Sequence, residues 1–257
     1  MNAFARWRRE RRLRRHLVPR EAFDAAVRRL PLLAGLTPAE CDTLREQVSL
    51  LLADKSFSAA GGAEVEPDVQ LAIALQACLL TLHLDEDSYR GWNEIILYPD
   101  EFLRPREEVD EAGVVHVSRD ILAGESWHGG PLVLSIADVR ASGRLEGFNV
   151  VLHEFAHKLD MLNGDANGFP PLHRGMHSAD WARDFGAAYD DLCARVDAGE
   201  DTVVDPYAGT DPAEFFAVAT EMFFEVPDLL AGAYPAVYAQ MRQFYRQDPL
   251  ARLRRPA

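Results

Sequence analysis

The spacing of apolar residues changes character twice along the chain. The first third has helical periodicity. LTPAECDTLREQVSLLLAD (36–54) predicts a helix with Thr37 as its cap, Pro38 in the first turn and Glu40 at the capping-box position. VQLAIALQACLLTLHL (69–84) is apolar almost throughout and predicts a core helix; Gln70, Gln76 and His83 interrupt it, and it is too short to span a bilayer. Between them SFSAAGGAEV (56–65), broken by Gly61 and Gly62, predicts a strand or hairpin. NEIILYP (93–99), GVVHVS (113–118) and GPLVLSI (130–136) are short runs rich in Val, Ile and Leu between turn and charged residues, and predict strands. Helical spacing then returns in 149–162, 178–199, 211–227 and 234–249. NGDANGFPPLHRG (163–175) holds too many Gly and Pro residues to be regular, and is a candidate cover over whatever the preceding helix presents. Helices, then strands, then helices imply an α+β fold. The expected division is a leader over 1–20, a helical subdomain over 21–85 and a strand-containing domain over 86–257.

Composition and charge refine this picture. Of 257 residues, 48% are hydrophobic, enough for a sizeable core. The net charge is −14, unevenly spread: residues 1–20 hold eight arginines against Glu10, so the leader carries +7 and the rest −21. A body that acidic repels phosphates, so direct DNA binding by it is not expected. The leader is expected to be solvated and partly frayed. Cys41, Cys78 and Cys193 form no CxxC pair, which points to buried thiols in a reducing compartment. The arginine-rich start has no apolar stretch after it of the kind a secretory signal needs. A cytoplasmic protein without a transmembrane segment is expected.

The helix NVVLHEFAHKLDML (149–162) carries the chemistry. At about 100° per residue, His153 and His157 point within roughly 40° of each other, one turn apart, with Asp160 further along the same stripe. Glu154 lies at its edge, and Leu152, Phe155, Leu159 and Leu162 lie opposite. Two neutral imidazoles beside a core are costly to bury without a shared partner. HExxH supplies one: both imidazoles can reach a single Zn²⁺, and the glutamate can act as general base on water. Asp160 can accept the second N–H of a ligating histidine. His173 and His177 share the same spacing, but Gly175 lies between them and Pro170 and Pro171 precede them, so that pair is not expected to bind metal.

A catalytic zinc usually has three protein ligands. The extended HExxHxxGxxH pattern is absent, since residue 160 is Asp and residue 163 is Asn. The third ligand must come from elsewhere. DPAEFFAVATEMFF offers Glu214 and, two turns on, Glu221, in a helix apolar enough to be buried. Glu214 also sits at the N3 position behind Asp211 and Pro212, where a capping role is equally natural. Spacing leaves both candidates open. Tyr207 is a candidate donor to an oxyanion, or an ordinary packing tyrosine.

HEFAHKLDMLNGDANG and DPYAGTDPAEFFAVATEMFF together resemble the Mlc titration factor A family of bacterial zinc metallopeptidases. The likeness extends to RRLRRHLVP, LPLLAGLTPAE, LAIALQACLL, YRGWNEIILYPDEF, EEVDEAGVVH and YRQDPL. HEFAH and YAGTDPAEFFA also resemble the catalytic domain of anthrax lethal factor, a gluzincin-type protease. The resemblance implies a zincin-like catalytic domain with one Zn²⁺ held by His153, His157 and Glu214. It implies Glu154 as general base and Tyr207 as transition-state donor. It further implies a cytoplasmic enzyme with aminopeptidase-like activity on peptides that binds the glucose-responsive repressor Mlc. The competing expectation is a non-catalytic protein that sequesters a transcription factor, with zinc serving structure only.

Overall fold

Several of the helices begin where a side chain can satisfy the free N–H groups of the first turn. Thr37 accepts the Glu40 N–H at 3.3 Å while the Glu40 carboxylate accepts the Thr37 N–H at 2.8 Å, closing the expected capping box. Asn149 and Asp211 do the same work further along, each accepting backbone N–H groups of the helix that follows it. The computed structural model describes residues 3–85, 88–99, 107–109, 115–117 and 130–254. Its helices are α1 (Ala3–His16), α2 (Arg20–Val27), α3 (Pro38–Asp54), α4 (Pro67–Leu80), α5 (Ile136–Ala141), α6 (Val150–Asp160), α7 (Ser178–Asp197), α8 (Pro212–Glu225), α9 (Pro227–Ala233), α10 (Pro235–Tyr245) and α11 (Pro249–Leu253). Its strands are β1 (Ser56–Ala59), β2 (Glu94–Tyr98), β3 (Glu107–Val109), β4 (Val115–Val117) and β5 (Leu132–Ser135).

The result is a mostly helical α+β arrangement with a small open sheet. β1, β2 and β5 pair in that order and all run parallel, with Phe57 beside Ile95, Ile95 beside Leu132, and Leu97 beside Leu134. Ile95, Leu97, Leu132 and Leu134 share one buried face, on which α6 packs at β5. β3 and β4 form a separate antiparallel pair. The strand expected over 113–118 is present at 115–117; its other residues lie outside the described residues.

Several expectations need correction. Of the two forms expected for 56–65 the strand is present, over Ser56–Ala59 only, and it pairs in parallel with β2 instead of folding back as a hairpin. The chain leaves it through Gly61 and Gly62, both at positive φ, and enters α4. The leader is helical from Ala3 and docks on α3 through ion pairs of Arg9 with Glu46 and Arg12 with Asp54. The last helical stretch divides into α10 and α11 at Arg246, which is left-handed, and α9 precedes it. Leu162 does not join the apolar back of its helix. It falls in a 3-10 turn, Met161–Asn163, and is exposed. Of the three free cysteines only Cys78 is buried.

The core runs continuously from α2 to α10, and α8 lies deep within it: every residue from Ala213 to Glu225 is buried. Around α8, Trp181 stacks on Phe185 with ring centroids 4.1 Å apart, and Phe216 and Phe244 close the cluster. A helix so enclosed can carry a carboxylate only where partners wait for it. Three glutamates of α8 meet that condition, as described below. No helix among the described residues is long and apolar enough to cross a membrane.

Candidate metal centre

The site forms where α6 crosses α8. α6 starts at Asn149, whose Oδ1 accepts the Leu152 N–H at 3.0 Å and whose Nδ2 donates to Gln76 of α4 at 2.7 Å and to Glu225 of α8 at 2.6 Å. These bonds hold the start of α6. Val151, Leu152, Phe155 and Leu159 turn into the core, and His153 and His157 turn towards α8. The two imidazole rings lie 4.9 Å apart, with their Nε2 atoms 3.2 Å apart.

Glu214 reaches the same point from α8. Its backbone N–H is capped by Asp211, which leaves the side chain for the histidines. Its Oε2 lies 3.0 Å from His153 Nε2 and its Oε1 lies 3.6 Å from His157 Nε2. Donor atoms around a tetrahedral Zn²⁺, at Zn–N distances of 2.0–2.1 Å, stand about 3.3–3.4 Å from one another. The two Nε2 atoms, 3.2 Å apart, stand near that value, and the Glu214 carboxylate turns one oxygen to each, at 3.0 and 3.6 Å. The donor set of His153, His157 and Glu214, two imidazoles and a carboxylate, also suits zinc chemically. Both tests show that these residues fit the ion.

Burial pulls the His153 pKa down, but hydrogen bonds with Glu214 and Glu221 more than reverse this and hold it well above the usual imidazole range. Burial pushes Glu214 up, but the two histidines reverse that and hold it well below the usual carboxylate range. Burial dominates at Glu221 and raises it.

Glu154 is half-buried beside the cluster, and its carboxylate makes no hydrogen bond to a described residue. Tyr207 sits in the 3-10 turn Pro206–Gly209, which Asp205 caps by accepting the Tyr207 N–H at 2.9 Å. Its ring centroid lies 6.3 Å from that of His153. The structure therefore brings His153, Glu154, His157, Tyr207 and Glu214, the five residues the resemblance implies, close to one another.

Two neighbouring carboxylates differ from expectation. Asp160 does not serve a histidine. Its Oδ2 accepts the backbone N–H groups of Asn167 and Gly168, each at 2.7 Å. Glu221 is not brought among the three donors; it meets His153 at Nδ1 instead. The 163–175 segment is fixed to its surroundings. Besides Asp160, it is held by Trp181, whose Nε1–H donates to Gly168 O at 3.0 Å, and by His173, which bonds Phe244 O at 2.6 Å. His173 is thereby committed to packing, and His177 is exposed one residue before α7.

The sequence model of the family described as glucose-regulated metallo-peptidase M90 matches residues 4–246. The chain belongs to this family. Mlc titration factor A of Yersinia pestis (strain Pestoides F) is 41% identical over 230 residues, which cover 88% of this chain and 84% of that one. The protein of the same description from Yersinia pseudotuberculosis serotype O:1b (strain IP 31758) gives the same 41% identity and the same coverage. For this member of the M90 family, the residues that spacing alone missed are Asn149 and Glu225. A polar residue just before an apolar helix is a visible cap signal. Nothing local shows that its partners are Gln76, Glu221 and Glu225.

Proposed function

We propose that this chain is a zinc-dependent peptidase of zincin-like, gluzincin-type fold, with α6 as its HExxH active-site helix and one Zn²⁺ held by His153, His157 and Glu214. The observation that carries the proposal is the mutual spacing of the three ligand groups, 3.0 to 3.6 Å, on two helices held in register by buried polar contacts. Zinc, when bound, acidifies water and polarises a carbonyl. Glu154, adjacent to the first ligand, takes a proton from the attacking water and passes it to the departing amine. Tyr207, beside His153, donates its phenolic hydrogen to the oxyanion of the tetrahedral intermediate. β5 is an edge of the three-stranded sheet among the described residues, and a peptide can add to it as a further strand. Lys158, on the turn after Glu154, bonds Gly130 O at 3.1 Å and ties the start of that strand to α6.

Glu154→Gln tests the mechanism. The variant should bind zinc as the wild type does and lose peptide hydrolysis by about 10²- to 10⁴-fold. Undiminished turnover would remove Glu154 from the reaction and the general-base mechanism with it; a wild-type chain that hydrolyses no peptide would remove the peptidase proposal.

The relatives' description as Mlc titration factors supports a second role, binding of an Mlc-type repressor. In that role alone, with zinc purely structural, a fourth protein ligand is expected. The cluster offers three among the described residues, which favours an open coordination position. Aminopeptidase-like preference and a cytoplasmic location complete the proposal. Glu154→Gln separates the two roles, because repressor binding should survive it.

A further inference from the structure

Glu221 lies two turns beyond Glu214 on α8 and is 5% exposed. Its Oε1 stands 2.8 Å from His153 Nδ1, the ring nitrogen on the far side from Glu214 and His157. Its Oε2 accepts the backbone N–H of Asn149, the cap of the same helix. One carboxylate thus grips both the start of α6 and the ring of its first histidine. When Glu221 is ionised it can only accept hydrogen bonds, and the proton between the two groups then sits on Nδ1. In a neutral ring that leaves the Nε2 lone pair facing Glu214 and His157.

We infer that Glu221 is a positioning residue: it fixes the tautomer and the ring angle of His153 so that Nε2 presents its lone pair to a divalent cation. The inference rests on the metal reading above and deepens it. Glu225, one turn further on, supplies an internal control. It accepts the Gly143 N–H at 3.0 Å and the Asn149 Nδ2–H at 2.6 Å, and touches neither histidine. It shares with Glu221 the burial, the helix and the clamp on Asn149, but not the ring.

Glu221→Gln is the test. The amide keeps the shape but offers one acceptor oxygen and one donor nitrogen, so it can serve Asn149 or His153 but not both. Zn²⁺ affinity is measured by competition with a chelating dye, and folding is checked by circular dichroism. Glu221→Gln should weaken Zn²⁺ binding roughly 10- to 100-fold, the usual effect of losing such a partner, while Glu225→Gln should leave the affinity unchanged. In the zinc-loaded protein the His153 Nδ1–H resonance should move upfield in Glu221→Gln and stay in place in Glu225→Gln. If Glu221→Gln does not fold, Glu221→Asp replaces it; this side chain keeps the charge, is too short to span both partners, and should show the same loss. Unchanged affinity in the Glu221 variant, or an equal loss in Glu225→Gln, overturns the inference and leaves the metal centre standing. A wild-type chain that takes up no zinc overturns the metal reading itself, so the two failures are told apart.

Discussion

Replacing Gly168 by alanine would strain the support of the third ligand without touching any ligand. Gly168 has φ +74°, and a Cβ placed there would lie 2.3 Å from the Pro212 carbonyl oxygen and 2.8 Å from its carbon. These are backbone atoms at the first residue of α8, two residues before Glu214, and they cannot swing aside as a side chain would. Relief requires α8 or the 163–175 segment to retreat by roughly 1 Å to reach ordinary contact. The segment resists, because Asp160 holds the Gly168 N–H and Trp181 holds its carbonyl. The left-handed backbone costs alanine about 1–2 kcal/mol, and overpacking adds about 1–3 kcal/mol. For a domain of this size that lowers Tm by about 5–15 °C. Zn²⁺ affinity should fall with it, because the start of α8 carries Glu214. Gly186→Ala is the matched control. Gly186 lies inside α7 with nothing within 4 Å of its would-be Cβ, so alanine there should stabilise the helix by about 0.5–1 kcal/mol. Thermal denaturation and chelator competition on both variants are sufficient. A Gly168→Ala protein that melts within about 2 °C of wild type and holds zinc equally well would refute the argument that this contact seats α8.

Asn149→Ala should cost about 2–4 kcal/mol in chemical denaturation, from the lost cap of α6 and the buried Gln76 and Glu225 oxygens that lose its amide; a loss under about 0.5 kcal/mol would mean the clamp is dispensable. The pH dependence of metal-free stability has a sign at each end. Glu214 is held below its ordinary 4.5, so its contribution is present above that value and is lost as pH falls through the folded pKa. His153 is held above its ordinary 6.5, so its contribution is complete below that value and is lost as pH rises through the folded pKa. In the proposed site a bound Zn²⁺ would take the place of the proton on His153. Denaturation across pH should therefore show the alkaline loss in the metal-free protein and not in the zinc-loaded one, and equal slopes would count against a shared site.

What was legible in the sequence divides along a physical line. Within one helix, period converts spacing into direction, so the convergence of His153 and His157 could be foreseen from residues four apart. The cap of α3 was equally local. Between elements that conversion fails. Glu214 and Glu221 are two turns apart on one buried face of α8. Which of them meets the Nε2 atoms depends on the slide and rotation of α8 against α6, and contacts contributed by Gln76, Asn149 and Pro212 set that slide. Resemblance, not spacing, favoured Glu214. Asp160 shows the limit from the other side. Its stripe position was foreseen, but two backbone N–H groups seven and eight residues further on compete for its oxygen, and such competition has no periodic signature. The leader is the same case at longer range. Its arginines read as a solvated tail because the acids that dock Arg9 and Arg12 lie 37 and 42 residues away on α3.

The same division explains why α8 carries so many buried acids. In the proposed site the third ligand is a carboxylate brought in from outside α6, and its placement would require the incoming helix to be held to a fraction of an ångström. An apolar interface alone permits sliding with little penalty, because hydrophobic contact is non-directional. Asn149 donates its backbone N–H to Glu221 and its Nδ2–H to Glu225; these bonds are directional and tie α8 to the cap of the helix that bears the histidines. Glu214 meets both histidines, while Glu221 and Glu225 of the same helix bond the cap of α6. Burial pushes both carboxyls up from the ordinary carboxylate value, and the backbone and side-chain N–H groups that each meets offset part of that penalty.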